Sequence, residues 1–140
     1  MKRLSPPFFV TLFALSVLIL AIHNALRFVA AIASWQTLQT YASASIAFFI
    51  AASGFVWAVV WATLFIKVWR GIPKARAASF VTIFLYSFYN WVNRSYLQST
   101  PPYVSPYLLG GYLLWLLIAM LALSLPGSKK FFAERENHDR

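Results

Sequence analysis

PPFFVTLFALSVLILAIHNALRFVAAIA, residues 6–33, is the stretch whose reading decides the fold class of this chain. It exceeds the ~20 helical residues needed to cross about 30 Å of hydrocarbon. Lipid offers backbone N–H and C=O groups no partner, so a segment that crosses it here is helical. Lys2 and Arg3 precede the run, and Ser5 with Pro6 stand where an N-cap and a first helical proline belong. A cleaved signal peptide is the competing reading, with Ala31-Ile32-Ala33 resembling a cleavage site. The apolar stretch is too long for that, and Arg27 interrupts the approach to the site, so an uncleaved first helix is expected. Within five positions the run also carries His23, Asn24 and Arg27, polar groups in apolar surroundings.

Three further hydrophobic spans follow the first. One runs from about Ser45 to Trp69 and stops at Arg70-Gly71-Ile72-Pro73. The next runs from about Ala75 to Leu97, before the breaker-rich residues 99–106. The last runs from about Tyr107 to Leu125 and stops at Pro126-Gly127. None shows the alternating ten-residue pattern of a β-barrel strand. The expected fold is therefore all-α: a four-helix transmembrane bundle over residues 1–126, with residues 127–140 as a short tail.

Composition agrees. Hydrophobic residues make up 61% of the 140, and charged residues 11% against about 25% in ordinary soluble proteins. The net charge of +9 is not a nucleic-acid footprint, because ten of the twelve Lys and Arg residues flank hydrophobic spans. They cluster as Lys2 and Arg3; Lys67, Arg70, Lys74 and Arg76; and Lys129, Lys130, Arg135 and Arg140. Residues 34–44 and 98–106 carry no charge at all. The positive-inside rule then puts both termini in the cytoplasm, in a bacterial inner membrane on this reading. The tail, with Phe131 and Phe132, is expected to anchor at the membrane surface. Trp35, Tyr41, Trp91, Tyr96, Tyr103 and Tyr107 read as an outer aromatic belt.

Two features concern contacts. Along the second span Ala47, Ala51, Gly54, Ala58 and Ala62 recur at intervals of three or four, a small-residue face that lets membrane helices approach closely. Trp57 and Trp61 form a second stripe. The two arginines outside the basic clusters, Arg27 and Arg94, both lie in polar patches at one depth. His23, Asn24 and Arg27 on the first helix and Asn90, Asn93 and Arg94 on the third meet if those helices are neighbours. The bland account is snorkelling arginines and interhelical asparagine bonds, which average only ~0.6 kcal/mol and need no function. The functional account is a site for an anion, whether a lipid headgroup, a small carboxylate or a partner's acid. A third account makes His23 a single axial ligand or a quinone contact, but the only other histidine, His138, lies in the tail.

Absences narrow the chemistry further. There is no cysteine, and all three acids, Glu134, Glu136 and Asp139, lie in the tail. No carboxylate proton relay fits within the spans, and no acid can orient His23 in a hydrolytic triad. Multi-histidine or carboxylate metal sites are missing as well.

GFVW at 54–57, VWRG at 68–71, NWVNR at 90–94 and FFAERE at 131–136 together resemble small four-span bacterial integral membrane proteins. The likeness covers most of the chain and implies the fold, with no activity attached. The expectation is a non-catalytic accessory subunit of a larger membrane complex, with electron transport as its context and no cofactor of its own. Its partners would be the bilayer and other transmembrane subunits or further copies of itself. The alternative is a small oligomeric transporter or anionic-ligand-binding protein that uses the His/Asn/Arg patch.

Overall fold

A computed structural model of the chain describes residues 6–97 and 106–136, with side chains described over 6–93 and 110–133. The described residues are all-helical, with six helices and no strand: α1 (Phe8–Ala33), α2 (Trp35–Tyr41), α3 (Ala44–Trp69), α4 (Ala75–Leu97), α5 (Pro106–Ser124) and α6 (Pro126–Glu136). α1 and α3 are long and apolar enough to cross a membrane, and the bent pair α5–α6 makes a third such element if it is one span.

The helix boundaries follow from local chemistry. α1 begins two residues after Pro6, with the Pro7 carbonyl accepting from the Thr11 N–H at 3.0 Å. The Ser5 cap lies outside the described residues. Ser43 precedes α3, and its hydroxyl accepts from the Ile46 N–H at 3.4 Å, the N-cap geometry expected of serine. At the other end of α3, Ile72 N–H donates to the Lys67 carbonyl and Gly71 N–H to the Val68 carbonyl, each at 3.0 Å. This is a Schellman closure, with Gly71 at φ 65°. Only glycine enters that left-handed region without a Cβ penalty, and Pro73 then bars continuation. The uncharged stretch after α1 is not plain loop, because residues 35–41 form the exposed helix α2.

The chain forms two compact units. One comprises residues 15–66, most of α1, all of α2 and most of α3. Its interior holds Val17, Ala21, Asn24, Ala47, Ala51, Trp61 and Leu64. The point of closest approach is Gly54: a Cβ built there would lie 3.0 Å from Phe28 N, 3.2 Å from Phe28 Cα and 3.3 Å from the Asn24 carbonyl oxygen. Backbone meets backbone at this crossing. Phe28 and Phe55 flank it with ring centroids 5.3 Å apart.

The other unit joins residues 1–14 to residues 67–140. Ser87 Oγ donates to the Ile83 carbonyl at 2.7 Å, so the Tyr112 hydroxyl, 2.5 Å away, must supply the proton of their shared bond. This ties α4 to α5. Between α5 and α6 the chain turns by 55°. Pro126 has no N–H to continue the ladder, and Arg76 of α4 reaches across to donate from Nε to the Leu123 carbonyl at 2.9 Å. A cation at the C-terminal end of a helix also meets the negative end of the dipole. Past the bend, Ser128, Phe131 and Phe132 are buried within the protein. The first part of the expected tail is thus helix α6, and its phenylalanines pack edge-to-face at 5.4 Å inside the protein.

Candidate functional site

The two halves of the polar patch belong to different units. His23, Asn24 and Arg27 lie in the unit of residues 15–66, and Asn90, Asn93 and Arg94 in the other. On α1, Asn24 is fully buried, its Nδ2 donating to the Leu20 carbonyl at 2.8 Å. Its side-chain oxygen accepts from Arg27 Nη1 at 3.4 Å. Arg27 is half-buried and His23 exposed, one turn apart on the same side of the helix.

This geometry has two consequences. Asn24 is spent on structure: its amide is satisfied by the turn below, and its own carbonyl lies at the Gly54 crossing. Arg27 is hardly committed. A guanidinium carries five N–H donors, and charge-assisted bonds run about 2.7–2.9 Å, so one contact at 3.4 Å among the described residues leaves most of its capacity unused there. The direction of that contact also matters. It runs to position i−3, so the side chain turns toward the helix N-terminus, as helical side chains do. It does not reach up toward the C-terminal end of α1, where headgroups would lie.

On α4, Asn90 Nδ2 donates to the Tyr86 carbonyl at 3.0 Å. Tyr86 is buried and stacks on Tyr89 at 6.1 Å. Asn93 is half-buried. The side chain of Arg94 lies outside the described residues, as do those of Tyr96, Tyr103 and Tyr107 from the aromatic belt. Of the other belt residues, Tyr41 and Trp91 are exposed and Trp35 is half-buried. Among the described residues, no three His, Cys, Asp or Glu side chains gather where they would hold a metal.

The small-residue face divides along its length. Ala47, Ala51 and Gly54 are buried, Ala58 is half-buried and Ala62 is exposed. Beyond Gly54 the buried face of α3 passes to Trp61, Leu64 and Val68. Trp61 is a core residue, with Trp57 tilted against it at 6.4 Å. Sequence reasoning passed over two contacts, Arg76 to the Leu123 carbonyl and Ser87 to Tyr112. Only the second left a trace, as hydroxyls in two separate apolar segments.

α4 carries its polarity inside out. Ser79, Ile83 and Tyr86 are buried, with Ser87 and Asn90 half-buried beside them, whereas Val81, Phe84, Leu85, Phe88 and Trp91 are exposed. Ser79, Ser87 and Asn90 each return a hydrogen bond to a carbonyl one turn earlier. α1 and α3 likewise expose Ile19, Leu26, Val29, Phe48, Phe55 and Val59. Compared with protein-family models, with curated proteins and with solved structures, the chain matches none.

Proposed function

We infer that this chain is a four-span membrane protein, both termini cytoplasmic, that serves as a non-catalytic accessory subunit of a larger membrane complex. The observation that carries the reading is the division of its side chains. Polar groups on the inner faces of α1 and α4 are used on carbonyls of their own helices or on a neighbour, while large apolar and aromatic side chains cover the outside. What such a chain offers other molecules is helix surface, the means by which membrane subunits dock. The inside-out polarity of α4 favours counting it as the third span and α5 as the fourth, with the bend at Pro126 returning α6 to the protein. The basic clusters favour a cytoplasmic location for both ends and a bacterial inner membrane as the setting. Electron transport is the context we propose.

One observation favours a second reading. Among the described residues Arg27 makes one long hydrogen bond, so a small anionic ligand or lipid headgroup held at His23 and Arg27 would make the chain a ligand-binding protein or transporter. Gentle extraction from native membranes followed by native mass spectrometry separates the two. A defined assembly larger than the 15.9 kDa chain and its own multiples supports the accessory reading. A monomer or small homo-oligomer refutes it, and a retained anion would favour the second. Arg27→Gln should then release that anion while leaving the fold intact.

A further inference from the structure

We propose that the outer face of α1 around His23 and Arg27 is a docking point for an acidic side chain, Asp or Glu, on a transmembrane helix of a partner subunit. This inference rests on the accessory-subunit reading and names the chemistry of its contact. The exposed face of α1 is built from Ile19, Ile22, Leu26 and Val29, all at least half exposed. His23 is exposed within this apolar face, and Arg27 lies half-buried beside it.

Charge complementarity sets the occupant. No acid precedes Glu134 in the sequence, so no neighbour within the spans can neutralise Arg27. A cation at the centre of a bilayer costs about 2.5–3.5 kcal/mol on insertion scales. The usual relief is snorkelling to headgroup phosphates, and here the side chain points the wrong way. α1 has 26 residues and is therefore about 39 Å long, against ~30 Å of hydrocarbon. A centred helix places the Cα of Arg27 roughly 5 Å inside the boundary nearer its C-terminus. The bond to Asn24 then draws the guanidinium toward a level about one turn deeper, next to His23. Phosphates lie beyond the boundary on the other side. A carboxylate carried by a neighbouring helix reaches that depth and suits the planar fork of arginine. His23 is exposed one turn below on the same side of α1.

The test uses the full chain in nanodiscs of neutral lipid and a fluorescent 24-residue polyleucine helix with one central Asp, compared with the same peptide bearing Asn. Energy transfer reports association. The Asp peptide is expected to bind about tenfold more tightly, and the preference should vanish in Arg27→Gln and persist in weakened form in Arg27→Lys. Equal binding of the two peptides to the unaltered chain overturns the proposal without any variant having to fold. So does a preference that survives Arg27→Gln, or one abolished by adding phosphatidylglycerol, which would assign the site to lipid phosphate. Native mass spectrometry keeps the two levels apart. A chain found in a large assembly but without an Asp preference loses this inference alone, and a chain extracted by itself loses the underlying reading too.

Discussion

Replacing Gly54 with alanine tests the α1–α3 crossing directly. The new Cβ would sit 3.0 Å from Phe28 N, 3.2 Å from Phe28 Cα and 3.3 Å from the Asn24 carbonyl oxygen. Carbon atoms in good contact stand about 3.5–4.0 Å apart, so the helices must separate by roughly half an ångström. All three atoms belong to the α1 backbone, and no side chain can rotate away to absorb the clash. Overpacking of this kind costs about 1–3 kcal/mol, offset by the ~1 kcal/mol that alanine gains over glycine inside a helix. The net loss is about 0–2 kcal/mol. Gly111→Ala is the internal control, because nothing lies within 4 Å of the Cβ built there. It should stabilise by the helix term alone, about 1 kcal/mol. The two substitutions should therefore differ by about 1–3 kcal/mol, measured by reversible unfolding in mixed micelles. Gly54→Leu should go further and open the crossing, read as a longer distance between spin labels on α1 and α3. If Gly54→Ala and Gly111→Ala change stability by the same amount, the helices do not meet at Gly54 and the packing argument fails.

The other predictions concern single contacts. Gly71→Ala places a Cβ at φ 65° and should cost about 1–2 kcal/mol, with Gly71→Asn milder in the same unfolding assay. Arg76→Gln removes the guanidinium bond to the Leu123 carbonyl and should cost about 1.5–3 kcal/mol, with faster hydrogen exchange at the amides of α6; unchanged exchange there would show that the bend does not depend on Arg76. Ser87→Ala and Tyr112→Phe should each cost about 0.5–1.5 kcal/mol, and the double variant little more than either, since both remove one bond. The Ser128 hydroxyl is buried with no hydrogen-bond partner among the described residues, so Ser128→Ala should raise stability by about 1 kcal/mol or more; a loss instead would mean the hydroxyl is satisfied.

Legibility varied along the chain for identifiable reasons. The stop after Trp69 was readable because Gly71 and Pro73 act through their own backbones. The helix ends near Ala33, Trp69, Leu97 and Ser124 followed from where hydrophobicity breaks. The tail misled because Phe131 and Phe132 sit among lysines and glutamates in sequence and look like surface anchors. Only the turn at Pro126 brings them inside. In the candidate site, the presence of Arg27 among apolar residues was plain, but its side-chain direction was not. It is set by the contact to Asn24, one turn back along α1.

The amino-acid order by itself determined the helical, lipid-suited character of the chain, the limits of its long helices and the lack of acids in its spans. These are local properties, decided by each residue's transfer free energy, its backbone preferences and the 3.6-residue repeat. Tertiary structure alone decided which position of the small-residue stripe became the contact: Ala47, Ala51 and Gly54 are buried while Ala62 is exposed. It also decided that Arg76 would close the turn at Leu123, 47 residues away. A stripe or a basic cluster specifies a face. The point on that face that meets another helix depends on crossing position and side-chain direction, which arise only when distant segments pack together.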